Sequence, residues 1–440
     1  MQIILLCAGV SSRMQPISEK IFLEFCGKPL LEHQIENISS FSDFKDFVIV
    51  GNDKNIKRII DICSKFKRLN FVFCIQENLK DGMKGAISAC KDKIYTAALV
   101  VNSNDIVEKF LLKEVLKISK KSNYDSIICG KIVEKYFPGG YLSINKKGFL
   151  VDIVEKPGEG NEPSDIINIV VHYFKNFSEF IKIVEKENNS TDDAYEIGLK
   201  KYCKKKDVFV LRYRGFWQAL KYPWHILDLQ NYFLSKTKSF ISPNSQIAKN
   251  VTIRGNVYIE KGVKVFEGAT IVGPAYIGEN CVVGNNSFIR ESIIGKNCVI
   301  GFNTEITRSF LHKNIWTHSN YIGDSIIDQN VSFGSGTITG NLRLDENEIY
   351  VEIKGEKIAS GKNKLGSIVG ENTRFGINCS INPGIKVGGG AFIASGVNVQ
   401  KNVENNVFIY SRQELIKKRN ISVVSVEDRK MVVEKNFSRE

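Results

Sequence analysis

The run Ile271-Val272-Gly273-Pro274-Ala275-Tyr276-Ile277-Gly278-Glu279-Asn280-Cys281-Val282-Val283-Gly284-Asn285-Asn286-Ser287-Phe288-Ile289 places an aliphatic residue at every sixth position: Ile271, Ile277, Val283 and Ile289. Upstream the same register runs through Ile247, Ile253, Ile259 and Val265. Downstream, a one-residue slip leads to Ile294, Ile300 and Ile306. A further phase change gives Tyr321, Ile327 and Phe333, and then Val369, Phe375, Ile381, Val387, Ile393 and Val399. Six is not a multiple of 3.6 or 3.5, so these residues do not mark a helix face. The period fits a parallel β-helix in which each hexad forms one side of a triangular coil and its aliphatic residue points inward. Gly, Asn and Asp recur between these positions, where the corners need tight turns. A β-sandwich, with turns every 8–12 residues or so, would not hold so strict a register. One polar, charged interruption, Asn341 to Lys364, is expected as a surface loop, a place where binding residues are often carried.

The first half follows another rule. Met1–Cys7, Phe47–Gly51, Phe71–Ile75 and Ala97–Val101 are apolar runs of strand length, and between them Pro29–Ile38, Lys54–Lys67 and Gly82–Lys93 carry apolar residues at helical spacing. Strand alternating with helix predicts an α/β domain, a parallel sheet wrapped by helices. Beyond Lys120 come hairpin-like strands, Gly140–Asn145 and Phe149–Glu155, followed by helical stretches at Ser178–Glu187 and Asp193–Lys201. The expected organisation is a Rossmann-like domain with a mixed, mostly parallel sheet over 1–234, a polar linker over 235–242, and a β-helix over 243–408 with the loop 341–364. A terminal segment, 409–440, is expected to cap the solenoid, with a short helix at Leu415–Lys418 and a hairpin from Ile421–Val426 and Met431–Val433.

Composition narrows the class without choosing a function. A chain of 440 residues at about 100–200 per domain allows two to four domains, and the 43% hydrophobic and 25% charged content exclude wholesale disorder. No apolar run approaches the roughly 18–20 residues that span a bilayer, and the opening reads as a buried strand. Ten scattered cysteines without a CxxC pair argue against a disulfide scaffold or a zinc site and for reduced thiols in a cytoplasm. The net charge of +13 is compatible with anionic small ligands or with a compositional bias towards Lys, Ile and Asn. Without a clustered aromatic and Arg face it does not speak for nucleic acid, and nothing speaks for a membrane partner.

The first strand runs into Leu6-Cys7-Ala8-Gly9-Val10-Ser11-Ser12-Arg13-Met14, with Lys20 seven residues beyond Arg13. A small glycine-containing turn at the carboxyl end of a parallel strand exposes N–H groups to a phosphate, and Arg13 and Lys20 add positive charge. This segment resembles the L-A-A-G-x-G-T-R-M…K signature of nucleoside-triphosphate:sugar-1-phosphate nucleotidylyltransferases. Gly27-Lys28-Pro29-Leu30, Gln76, Gly82, Asp105, Gly140, Glu155-Lys156-Pro157 and Asn168 match further motifs in order, and the resemblance covers residues 1 to about 232. It implies that Ala8, Gly9, Arg13 and Lys20 hold the triphosphate and that Gln76 and Gly82 face the base. Gly140, Glu155, Lys156 and Asn168 would line the sugar phosphate, and Asp105 would hold Mg²⁺. Cys7, Ser11 and Ser12 depart mildly from the signature. Ala219 stands where many relatives carry a second metal-binding Asp, so either Asp228 completes the metal site or Asp105 and the phosphates suffice.

In the second half, His318 lies in Trp316-Thr317-His318-Ser319-Asn320-Tyr321-Ile322-Gly323-Asp324. A lone His in a repeat is most often structural. The run together with Gly334–Asn341 resembles the acetyl-transfer site of bifunctional N-acetylglucosamine-1-phosphate uridylyltransferase/glucosamine-1-phosphate acetyltransferases, and the stretches at 341–345 and 360–366 resemble their archaeal branch. The resemblance implies a left-handed β-helix and a homotrimer, with acetyl-CoA as co-substrate and His318 as the base that deprotonates the sugar amine. Tyr321 and Asn341 would orient the acceptor, and Lys364 would bind its phosphate. The family's phosphate-binding Lys one coil before the His is missing, because that place reads Glu305-Ile306-Thr307-Arg308; Arg308 and Arg290 are the available substitutes.

Three functional readings follow. The leading one is a cytoplasmic bifunctional enzyme that acetylates glucosamine-1-phosphate and joins the N-acetylglucosamine-1-phosphate to UTP with release of pyrophosphate. The second is a thymidylyl- or uridylyltransferase for another sugar-1-phosphate, such as glucose-1-phosphate, whose β-helix only trimerises or serves another amino sugar. The third is a non-catalytic regulatory protein on the same folds.

Overall fold

The computed structural model describes residues 1–440 except 18, 188–192, 413, 423–424 and 438–440. The N-terminal apolar runs form one mixed sheet of nine strands. Within it Ala98–Asn102, Gln2–Leu6, Asp46–Gly51 and Asn70–Ile75 lie side by side in parallel, with Asn70–Ile75 at the edge. The strand Ile166–Phe174 runs antiparallel to Ala98–Asn102 and carries a wing, with Gly140–Ile144 and Leu150–Glu155 on one path and Ser126–Ile132 and Val208–Tyr213 on the other. Ala98–Asn102, Gln2–Leu6 and Asp46–Gly51 are buried on both faces, as a sheet covered by helices requires. Their carboxyl ends open at one edge, where the loop after Leu6 begins.

Three further sheets, of eight, nine and eight short strands, build the β-helix. One ladder aligns Ile253, Ile271, Ile289, Ile306 and Ile322, and stacking in such columns gives the solenoid a continuous aliphatic core. The expectation that Tyr321 points inward is corrected: Ile322 is the buried residue, and Tyr321 is half-exposed on the outer face beside Glu305 and Ile338. The cause is a recurring short corner. The inward position advances by five, not six, from Ile289 to Ile294, Ile306 to Leu311, and Ile322 to Ile327, so counting back six from Ile327 lands one residue early. At these corners Glu291, Arg308 and Asp324 adopt φ of +49°, +47° and +47°. A buried serine column follows them, in which Ser309 N donates to Ser292 Oγ, Ser325 N to Ser309 Oγ and Ser367 N to Ser325 Oγ, each at 3.0 Å. Side-chain hydroxyls thus satisfy backbone donors that the shortened turn displaces from the ladder.

The interruption at Asn341–Lys364 is more than a surface loop. Tyr350–Ile353 and Glu356–Ala359 pair as an antiparallel hairpin, and Ile349, Val351 and Ile353 are buried. Alternation with period two inside a charged stretch is the strand signal there. These residues join a core shared by both halves of the chain, which includes Met14, Leu23, Phe25, Trp224, Leu227, Tyr276, Ile293, Phe310 and Ile326. Polar ties cross the same seam: Glu24 receives Lys296 at 3.4 Å and Lys313 at 3.5 Å, and Gln230 Nε2 donates to Glu291 O at 3.1 Å. Met1–Ile409 is therefore one compact unit. Phe240–Ile241, within the stretch expected as linker, already pairs with Tyr258–Ile259 as a first rung.

Tyr410–Glu440 forms a second unit. It contains a helix, Val426–Phe437, so Met431–Val433 is helical and the expected hairpin is not formed; Val423 and Val424 of its other arm lie outside the described residues. No helix covers Leu415–Lys418. Among the described residues no helix is long and apolar enough to cross a membrane, and all ten cysteines are free.

Candidate active sites

The sharp turn after Gln2–Leu6 is pinned from behind. Asn55 Nδ2 donates to Cys7 O and Asn52 Nδ2 to Ala8 O, both at 2.9 Å, while Ser103 Oγ donates to Leu6 O at 2.6 Å. With its carbonyls held, the loop 8–13 presents its other edge to a cleft of about 300 Å³. A Cβ at Gly9 would meet nothing within 4 Å, which is the space a ligand needs for close approach. Burial pushes the Cys7 thiol up to about 12, so it is no nucleophile at neutral pH.

All the residues assigned from sequence to nucleotidyl transfer line this cleft: Ala8, Gly9, Arg13, Lys20, Gln76 and Gly82 on one side, Gly140, Glu155, Lys156 and Asn168 on the other, and Asp105 between them. Gln76 donates its amide N–H groups to Asn78 O at 3.0 Å and Gly82 O at 2.9 Å, which leaves its carbonyl oxygen as an acceptor. Lys20 Nζ donates to Leu220 O at 3.0 Å, and burial lowers its pKa to about 8, helped by the nearby Arg13. On the opposite wall Gly140 is closely packed: a Cβ there would lie 2.9 Å from Glu155 Oε2 and 3.1 Å from Ile153 Cδ1. Asn168 Oδ1 meets His172 Nε2 at 2.8 Å, and His172 Nδ1 meets Tyr195 O–H at 2.8 Å. A carbonyl oxygen only accepts, so Nε2 carries the proton and Nδ1 accepts from Tyr195. The relay fixes Asn168 with its amino group free for a ligand. Burial holds the His172 pKa down to about 3.

Asp105 sits on a two-stranded ribbon in which Trp217–Ala219 pairs antiparallel with Asp105–Val107. Ala219 is directly across from Asp105, and Trp217 Nε1 donates to Asp105 Oδ1 at 3.2 Å. Burial raises the carboxyl's pKa, opposed by Lys221, Trp217 and Lys20. Asp228 is corrected as a metal-ligand candidate: its Oδ1 is 2.5 Å from Lys362 Nζ, in an ion pair with the inserted stretch, and it does not line the cleft. Among the described residues there is no cluster of three or more His, Cys, Asp or Glu arranged to hold a metal. Magnesium is commonly held by one or two carboxylates with substrate phosphates completing its shell, so the donor set fits one ion on Asp105. Lys221 and Phe137 also line the cleft and were not singled out from sequence. No periodicity marks Lys221, because the strand ends at Ala219 and the chain turns there, Lys221 N donating to Ala219 O at 3.0 Å.

On the β-helix, His318 occupies an exposed corner, where its backbone N–H donates to Asn320 Oδ1. Asn320 is itself held by bonds to Gly334 O at 2.8 Å and Thr337 O at 3.0 Å, which fixes the corner. The strand that follows, Tyr321–Gly323, leads to the next corner, where Arg308, Tyr321 and Asn341 gather around the buried Asp324. Arg308 grips the carboxylate through Nε at 2.6 Å and Nη2 at 2.7 Å, and Asn341 Nδ2 donates to Asp324 Oδ2 at 2.5 Å and to Tyr321 O–H at 3.1 Å. Asp324 is thus the organising residue that sequence reasoning quoted but did not assign. Arg308 is committed to an anion of its own chain. Arg290 Nη1 lies 3.5 Å from Glu291 Oε1, and Lys364, exposed, bridges to Leu342 beside Asn341.

The chain thus joins an α/β cleft with a pinned glycine turn to a β-helix that carries an exposed corner histidine. A family model described as Nucleotidyl transferase matches residues 2–220, and one described as EIF2B subunit epsilon LbH domain matches 254–351, in keeping with a left-handed β-helix. The chain is 33% identical to a Bifunctional protein GlmU of Methanococcus vannielii over 96% of this chain and 100% of the relative. It is 33% identical to one of Methanocaldococcus jannaschii over 94% and 99%. A Bifunctional sugar-1-phosphate nucleotidylyltransferase/acetyltransferase of Sulfurisphaera tokodaii is 31% identical over 92% and 98%. The chain belongs to this GlmU-type family of bifunctional nucleotidylyltransferase/acetyltransferases. It is accordingly an enzyme, and the non-catalytic reading is set aside.

Proposed function

We propose that the N-terminal cleft joins UTP to N-acetylglucosamine-1-phosphate and that the β-helix acetylates glucosamine-1-phosphate from acetyl-CoA, supplying the first reaction. The observation that carries this reading is the convergence of the pinned loop, Asp105 and the Gly140–Glu155–Asn168 wall on a single cleft. A phosphate oxygen of the sugar-1-phosphate attacks the α-phosphorus, the bond to the β-phosphate breaks, and pyrophosphate leaves. Arg13 and Lys20 offset the charge of the triphosphate, and the Gln76 carbonyl accepts the N3–H of a pyrimidine. Asp105 would hold Mg²⁺, which when bound supplies further neutralisation of phosphate charge. At the other head His318 takes the proton of the sugar ammonium, the freed amine attacks the thioester carbonyl, and the C–S bond breaks to release CoA. A homotrimer in the cytoplasm belongs to the same proposal.

One observation favours a second reading of the acetyl acceptor. The stretch Glu305–Arg308 carries no Lys and Arg308 is engaged by Asp324, so the acceptor phosphate falls to Arg290 and Lys364. Another amino-sugar-1-phosphate, galactosamine-1-phosphate for example, would use those cations equally well. The test is CoA release from acetyl-CoA with each amino-sugar phosphate, and pyrophosphate release from each nucleoside triphosphate with N-acetylglucosamine-1-phosphate. Turnover lost in His318→Ala with pyrophosphate release intact supports the assignment. Absence of CoA release with every amino-sugar phosphate overturns the acetyl half.

A further inference from the structure

Lys221 stands in the nucleotidyl-transfer cleft with no role yet assigned to it. The ribbon that pairs Ala219 with Asp105 leaves a methyl group where a second carboxylate would reach the joint between nucleotide and sugar. Two residues further on, Lys221 Nζ donates to Pro138 O and lies 4.3 Å from the centre of the Phe137 ring. A Cβ on Gly139 would be 3.6 Å from the same nitrogen. The ammonium is therefore moored on the wall that continues into Gly140, next to Leu220, whose carbonyl receives Lys20. It is close enough to Asp105, Arg13, Glu155 and Lys156 to feel the charge of each.

An ammonium has three N–H donors. Pro138 O takes one, and the remaining two are available to an anion in the cleft. Mooring by a carbonyl and an aromatic face holds the cation in place without neutralising it, in contrast to Arg308, whose charge is met by a carboxylate. Arg13 and Lys20, which follow the glycine turn, are the cations already assigned to the triphosphate. The anion that approaches along the Phe137–Gly140 wall is the phosphate of the second substrate.

We propose that Lys221 binds the 1-phosphate of the incoming sugar phosphate, at the point where it meets the α-phosphate of the nucleotide. This rests on the nucleotidyl-transfer reading above. With a single carboxylate at the joint, a fixed ammonium offsets the repulsion between two phosphates that must come together for in-line attack.

The test is binding to the full-chain protein in EDTA, where no divalent ion contributes, by titration calorimetry with N-acetylglucosamine-1-phosphate and separately with UTP. Lys221→Met weakens sugar-phosphate binding by about tenfold or more, the worth of a charge-assisted hydrogen bond, and changes UTP binding by less than about twofold. Lys221→Arg recovers part of the loss, and in turnover with Mg²⁺ the Met variant raises KM for the sugar phosphate and leaves KM for UTP unchanged. Preserved UTP binding shows that the variant is folded. Equal loss for both ligands, or no loss for the sugar phosphate, overturns the proposal while wild-type turnover keeps the nucleotidyl-transfer reading intact. A wild-type protein that binds no sugar-1-phosphate and releases no pyrophosphate refutes both.

Discussion

Replacing the buried His172 by Phe removes the middle of the Asn168–His172–Tyr195 relay and leaves Asn168 Oδ1 and the Tyr195 hydroxyl without partners. The Tyr195 hydroxyl is buried and its lost partner costs about 1–3 kcal/mol, whereas Asn168 is half-buried on the cleft wall, so the variant is less stable by about 1–3 kcal/mol at pH 7. The pH dependence is the sharper part. His172 has a folded pKa of about 3 against 6.5 for the free side chain, because burial disfavours its charged form. Its stabilising contribution is whole above 6.5 and is lost as pH falls towards 3, because there the unfolded chain binds a proton that the folded one refuses. At pH 5 the loss is roughly 1.5 units, or about 2 kcal/mol. Phe does not titrate, so the gap between wild type and variant narrows by about 2 kcal/mol from pH 7 to pH 5. His225, also lowered by burial, to about 4, is common to both proteins and cancels. Urea denaturation followed by circular dichroism at the two pH values measures the gap. A gap that stays constant or widens refutes a neutral, buried His172. The same variant raises KM for the sugar-1-phosphate more than for UTP, because Asn168 loses the bond that aims its amide.

Asp105→Ala abolishes pyrophosphate release and leaves CoA release within about twofold, a split read by running both assays on one preparation. Ile322→Ala opens a cavity in the solenoid core and costs about 2–5 kcal/mol in urea denaturation, whereas Tyr321→Phe, on the outer face, costs less than about 1 kcal/mol and acts on KM for the amino-sugar phosphate. Arg308→Ala strands the buried Asp324 carboxylate and destabilises the chain by about 3–5 kcal/mol, as breaking a buried pair does; the Arg308→Ala/Asp324→Asn double variant recovers much of that loss in the same measurement.

Where periodicity is dictated by the backbone, the sequence was readable. The six-residue spacing located the solenoid, and the apolar runs located the central strands, because inward positions of a repeat admit few residue types. The register failed at Tyr321 because the short corners at Glu291, Arg308 and Asp324 are closed by non-glycine residues at positive φ, which leave no compositional mark. The hairpin at 350–359 was hidden for a different reason: its buried Ile349, Val351 and Ile353 alternate with exposed Tyr350, Glu352 and Lys354 and bury against another part of the chain. The cleft residues on the glycine loop and in Glu155-Lys156-Pro157 were legible as motifs. Lys221 and Asp324 were not, since their surroundings come from strand pairing between distant segments.

The seam between the two heads bears on how far they can be treated as exchangeable parts. Met14, the residue after Arg13 on the phosphate loop, is buried in the same core as Phe310 and Ile326 of the solenoid. Severing the chain between residues 236 and 240 would uncover that apolar surface on both fragments. Grafting another solenoid would require recutting the whole seam. The phosphate loop thus rests on the neighbouring head as on a foundation, and drift in solenoid residues has a direct mechanical route to nucleotide affinity, without either substrate touching the other's site.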